Sequence, residues 1–329
     1  MGLSPFLMLF AVTALLFDFL NGFHDSANTV ATMISSRAMA PREALVLSAI
    51  AHFTGPFLFG TAVATTIGHE VVAEQAASMM VVLAALLAAI GWNVLTWLLA
   101  IPSSSSHALV GGLVGAAATG YGFQAILLPG LLKVLLILLI SPIVGLISGY
   151  LLMKGVLFLA RGATPRINIF FKRIQMVTAL GLALSHGAND AQKTMGIIAM
   201  GLLARGVIPR FAVPTWVVAV CAAAMALGTV LGGWRIIRTL GGRFYRIRPI
   251  HSFTSQVASA GVILGAALVG GPVSTTHVVS TTILGVGSAE RLSKVRWGIM
   301  GQIVTAWLLT IPASGLLAAL CYMLIERIV

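Results

Sequence analysis

The feature that most limits this chain is how far apart its charges lie. The stretches 44–67, 127–160, 213–233 and 297–325 are apolar almost throughout, and each reaches the roughly 20 residues that a helix needs to cross a hydrocarbon core. In lipid the backbone has to satisfy its own hydrogen bonds, which leaves helices or closed barrels. Barrel strands would be about ten residues long with alternating polarity, so the runs read as helices. Only 9% of the 329 residues are charged and 59% are hydrophobic, against about 25% charged in an ordinary soluble domain. The bilayer is therefore the first expected partner. The run 3–20 contains Asp18 and has no basic residue before it, so it reads as a retained helix rather than a cleaved signal. The formal charge of +12 does not require nucleic acid, and none is expected. The Lys and Arg residues sit in short loops, where the positive-inside bias accounts for them. Cys221 and Cys321 lie in apolar segments and read as buried thiols.

The chain also repeats itself. Pro102-Ser-Ser-Ser-Ser-His107 returns as Pro272-Val-Ser-Thr-Thr-His277, a spacing of 272 − 102 = 170. The same spacing carries Ser141-Pro142-Ile-Val-Gly145 onto Ile311-Pro312-Ala-Ser-Gly315. Gly22-Phe-His-Asp25 and Gly187-Ala-Asn-Asp190 align at 187 − 22 = 165. Two halves follow, 1–160 and 173–329, joined by a basic cytoplasmic linker at 161–172.

Charge gives the halves opposite orientation. The loop 68–75 carries Glu70 and Glu74 and no basic residue, whereas its counterpart 235–248 carries Arg235, Arg238, Arg243, Arg246 and Arg248. Likewise the uncharged loop 120–124 corresponds to 290–296, with Arg291, Lys294 and Arg296. With both termini outside, Arg37, Arg42, the linker and both basic loops face the cytoplasm, and Arg205, Arg210 and Arg327 are the exceptions. Each half then crosses an odd number of times only if the segments around Pro102 and Pro272 enter and return on one side, as re-entrant hairpins. The expected fold is an all-α integral membrane protein of two inverted-topology repeats, with broken helices and two re-entrant hairpins.

Irregular backbone at membrane depth is tolerated where it is buried in protein or lines a wet cavity, so two symmetry-related tips describe a central site. Residues 21–28 and 185–193 are expected to interrupt two further helices there. A carboxylate at the bilayer centre costs about 2.5–3.5 kcal/mol, which gives Asp25 and Asp190 a partner or a task, and cation or proton binding is that task. Ser103–Ser106 and Ser274–Thr276 precede apolar, glycine-rich segments. They are therefore expected at helix N-termini, where N–H groups, hydroxyls and the helix dipole suit an oxyanion. His107 and His277 read as scaffolding. No close pair of ligands marks either one as a metal site.

These motifs resemble the inorganic phosphate transporter (PiT) family. GFHDSAN at 22–28 and GANDAQK at 187–193 look like its duplicated signature, commonly GANDVAN, and PSSSSH and PVSTTH look like its paired hairpin motifs. The resemblance implies cation-coupled phosphate uptake. Asp25, Asp190, Asn28 and Asn189 would lie near the coupling cations, and Ser104, Ser105, Ser106, Ser274, Thr275 and Thr276 near the anion. Two residues depart from the common signature, His24 in the first copy and Lys193 in the second. An ammonium beside Asp190 can stand in for a metal cation and attract the anion, which makes sodium doubtful in that half. Proton coupling through His24 or the aspartates then becomes the favoured route. No metal is assigned, with Asp25 and Asp190 as ligands if sodium is used.

The reading is a phosphate symporter of the bacterial inner membrane, proton-coupled, with no cofactor and no enzymatic activity, and with a homodimer left open. Sodium-coupled transport of phosphate or sulfate is the first alternative and an anion channel the second. An intramembrane hydrolase is disfavoured, because catalysis needs one asymmetric nucleophile and base rather than two mirrored sets.

Overall fold

The computed structural model describes residues 5–99, 103–232, 247–295 and 297–328. Pro102, Arg235, Arg238, Arg243, Arg246 and Arg296 lie outside them. Among the described residues the chain forms α1 (Pro5–Ser35), α2 (Pro41–Leu58), α3 (Ala62–Thr65), α4 (Met79–Leu98), α5 (Ser105–Tyr121), α6 (Leu128–Leu159), α7 (Ile167–Ala204), α8 (Thr215–Leu231), α9 (Pro249–Leu268), α10 (Thr275–Glu290) and α11 (Gly298–Glu326). Among the described residues five helices are long and apolar enough to cross a membrane; α2 and α3, continued to Glu70 and bent by 73° at residues 59–61, are so only when taken together. Leucines and isoleucines of α6 and α11 such as Leu136, Ile140, Leu308 and Leu316 stand exposed, as a surface solvated by lipid tails requires.

The two repeats interlock by exchanging partners. α1 packs on α8 as α7 packs on α2, and α5 packs on α11 as α10 packs on α6. Each crossing is closed by a glycine whose mate closes the equivalent one. A Cβ at Gly22 would lie 2.0 Å from the Met225 carbonyl oxygen, and one at Gly187 would lie 2.6 Å from the Cα of His52. In the second pair, Gly115 meets the Gly315 carbonyl and Gly285 the Leu146 carbonyl, each with a built Cβ at 2.1 Å. Small residues allow this approach where lipid supplies no hydrophobic force between helices.

Both hairpins return to the side they entered from. Ala73 N–H donates to Ala125 C=O at 2.9 Å and Leu127 N–H to Val71 C=O at 3.0 Å, tying the segment before α4 to the one after α5. In the second repeat Arg248, just before α9, pairs with Glu290 at the end of α10.

One expectation needs correction. The interruptions at 21–28 and 185–193 are not present, because α1 and α7 run through both stretches as helix. Their glycines serve the close crossings just described, and the side chains of Asp25, Asn28, Asn189 and Asp190 bond to other helices or to neighbouring side chains, leaving the i→i−4 ladder whole. The break in this part of the first repeat is instead the bend between α2 and α3. In addition, α7 begins at Ile167, inside the stretch assigned to the linker.

Candidate functional site

The hairpin tips meet at the centre of the molecule. Ser104 is the N-cap of α5 and accepts a hydrogen bond from His107 N–H at 3.3 Å, and Ser274 caps α10 through His277 N–H at the same distance. Ser106 Oγ donates to the Val273 carbonyl across the interface at 2.8 Å. The rings of His107 and His277 lie 5.2 Å apart, centroid to centroid. The tips are also clamped to α7, where Asn189 Nδ2 donates to Gly271 C=O at 3.0 Å and Asn189 Oδ1 accepts from Val273 N–H at 3.2 Å.

Against these tips α1 and α7 bring their carboxylates together. His186 Nε2 is 2.6 Å from Asp190 Oδ2 and 3.7 Å from Asp25 Oδ2, so one imidazole stands between the two acids. Thr275 Oγ1 donates to Asp190 Oδ2 at 2.9 Å and reaches Asp25 Oδ2 at 3.5 Å. Thr276 Oγ1 donates to Asp25 Oδ1 at 2.8 Å, and Asn28 Nδ2 donates both to that oxygen at 2.8 Å and to Thr276 Oγ1 at 2.9 Å. The Lys193 ammonium is bonded to Asp190 Oδ1, to Ser106 Oγ at 2.6 Å and to Val273 C=O at 3.0 Å.

Burial is uneven across this cluster. Asp190 and Lys193 are fully enclosed, whereas Asp25 keeps 8% of its surface and Thr276 is half-buried. Beside Asn28 a narrow crevice lined by Thr32, Ile247, Val279 and Ser280 runs between α1 and α10. Two carboxylates and one ammonium leave one formal negative charge at the centre. A single further positive charge, carried by a proton or a metal ion, balances it, and an unbalanced charge in this low dielectric is costly. Asp25, His186 and Asp190 offer ligand atoms all within 4.8 Å of one another, so they are the residues that could hold such an ion.

Of the residues marked in the sequence, Asp25, Asp190, Asn28, Lys193, Ser106, Thr275 and Thr276 are brought into one hydrogen-bonded group. Ser104, Ser274 and Asn189 shape the tips behind it, and Ser105 begins α5 at its edge. His24 is elsewhere: its ring stacks on Trp97 at 5.9 Å. His186 was missed, although it lies four residues before Asp190 and so shares its helix face. The duplication hid it, since its counterpart in the first repeat is Asn21. His52, with its ring 5.0 Å from His186 and Nδ1 2.7 Å from Thr229 Oγ1, comes from α2, where no motif marks it.

The family profile described as "Phosphate transporter family" matches residues 21–318. The chain is 43% identical over 325 residues to the "Probable low-affinity inorganic phosphate transporter" of Bacillus subtilis (strain 168), covering 98% of this chain and 97% of that one. It is 44% identical over 320 residues to the protein of the same description from Rhizobium meliloti (strain 1021), covering 97% and 96%. Among solved structures, "The sodium-dependent phosphate transporter" superposes with a TM-score of 0.89 at 23% identity, over 99% of this chain and 100% of that chain, a likeness of fold.

Proposed function

The chain belongs to the phosphate transporter family, and from that premise we propose that it takes up inorganic phosphate across a bacterial plasma membrane as a symporter loaded by one proton at the centre. The observation that carries the coupling is the single uncompensated charge among Asp25, Asp190 and Lys193, with His186 between the two acids. His186, rather than His24, is the imidazole placed to share that proton.

Order of binding follows from the hydroxyls. Thr275 and Thr276, at the N-terminus of α10, donate to the carboxylates, so the positive end of the helix dipole is already spent on negative charge. A proton arriving on the Asp25–His186–Asp190 group weakens the carboxylates as acceptors. The Thr275 and Thr276 hydroxyls and the first N–H groups of α10 can then turn to a phosphate oxygen, while the N-terminus of α5, with Ser105 and Ser106, serves another. The cation therefore loads before the anion, and neither crosses alone. The crevice beside Asn28, which reaches Ile247, supports exchange with the side on which the neighbouring Arg248 lies. A channel is disfavoured, because two carboxylates at the constriction repel an unaccompanied anion.

The test is uptake of labelled phosphate and sulfate into proteoliposomes under separately imposed proton and sodium gradients. Uphill phosphate accumulation driven by protons is expected, together with its loss in Asp25→Asn. Accumulation driven by sodium alone overturns proton coupling. Uphill transport by a well-folded Asp25→Asn protein overturns the assignment of the coupling group.

A further inference from the structure

A second carboxylate on α1 is not used by the central site. Asp18 lies two helical turns before Asp25, about 10 Å along the axis at 1.5 Å per residue, and it is fully buried. Neither of its oxygens has a hydrogen-bond partner among the described residues. Asn21, on the same face one turn later, is 1% exposed, and neither its amide oxygen nor its nitrogen has a partner. Thr194, one turn beyond Asp190 on α7, is fully buried, and its hydroxyl lies beside Asp18 without closing a hydrogen bond of good geometry. The Cys221 thiol of α8 also lies beside Asp18. Buried polar atoms are rarely left unpaired, and four orphaned oxygens lie on facing helices.

The chemistry of these groups limits what they can bind. They are hard oxygen donors with a single negative charge, a set that suits alkali and alkaline-earth cations rather than soft metals. One carboxylate balances one positive charge, and the nearest other charges, Asp190 and Lys193, are paired with each other. A divalent ion would leave an unbalanced charge in a low-dielectric interior. A proton can join only two of the oxygens. From this geometry we propose that Asp18, Asn21 and Thr194 form a second cation site that takes sodium, two turns along α1 from the central carboxylates.

This site does not depend on which ion drives phosphate uptake, and it can be tested with no phosphate present. Radiolabelled sodium is equilibrated with the purified full-length protein in detergent, at constant ionic strength with choline as the replacing cation. Asp25→Asn, which disables the central carboxylate pair, is expected to retain saturable sodium binding. Asp18→Asn in that background is expected to abolish it. Thr194→Val in the same background removes one ligand while preserving shape, and is expected to weaken binding about tenfold or more; it serves as the informative variant should Asp18→Asn not fold. Absence of saturable binding in Asp25→Asn, or binding unchanged by Thr194→Val and Asp18→Asn, overturns the proposal and leaves Asp18 a protonated acid.

Discussion

At the scale of single residues, Lys193 governs the charge of the centre. It is an ammonium inside a membrane protein with no exposed surface, and Asp190 with two oxygens of the opposite hairpin tips hold it there. Removing one partner of a buried ion pair costs about 3–5 kcal/mol, because the other is left uncompensated. Lys193→Ala turns one residual negative charge into two, and the centre then needs a second cation before the anion can enter. Uptake by this variant is expected to become sodium-stimulated, with a lowered thermal midpoint that sodium partly restores. Uptake measured against sodium concentration checks this, and a response identical to the parent protein would show that Lys193 does not occupy a cation's place. The aspartates and Lys193 were legible from sequence, since a charge within an apolar run needs a reason. His186 was not, because an imidazole in a helix says nothing of what it faces until α1 is packed against α7.

Among the helices, function depends on how closely they cross. Gly22 and Gly187 look in sequence like points where a helix unwinds, yet α1 and α7 run through them. A sequence does not distinguish a glycine that frees the backbone from one that admits a neighbour; only the partner helix does. Gly22→Ala puts a methyl group 2.0 Å from the Met225 carbonyl, where backbone rather than a pliant side chain has to move, and overpacking of this kind costs about 1–3 kcal/mol. Gly181 lies in α7 with nothing within 4 Å of a built Cβ, and Gly181→Ala is expected to gain about 0.5–1 kcal/mol through backbone entropy. Thermal unfolding in detergent of the two variants should move in opposite directions, and a shift of the same sign would refute the crossing account. The hairpin helices were read more directly. Ser104 and Ser274 cap α5 and α10 because short hydroxyl side chains before an apolar run satisfy the first free N–H groups of a helix.

For the whole molecule, the inverted arrangement is a claim about sides of the membrane. Glu74 belongs to the acidic loop that opens the first hairpin, and Arg291 follows the second. In a variant lacking Cys221 and Cys321, single cysteines at these two positions are expected to react with an impermeant thiol reagent from opposite faces. Reaction of both from one face would end the inverted-repeat topology. The sequence by itself determined the class, the duplication, the opposite orientation of the halves and most of the charged residues at the centre. Those are properties of composition, spacing and loop charge, which act along the chain. Only the tertiary structure decided that both carboxylates gather around His186 at the tip of the second hairpin, that Lys193 bridges to the first, and that Asp18 lies beside Thr194 away from either. Those contacts join residues far apart in the chain through exchanged helix pairs, and their geometry comes from packing that no local pattern encodes.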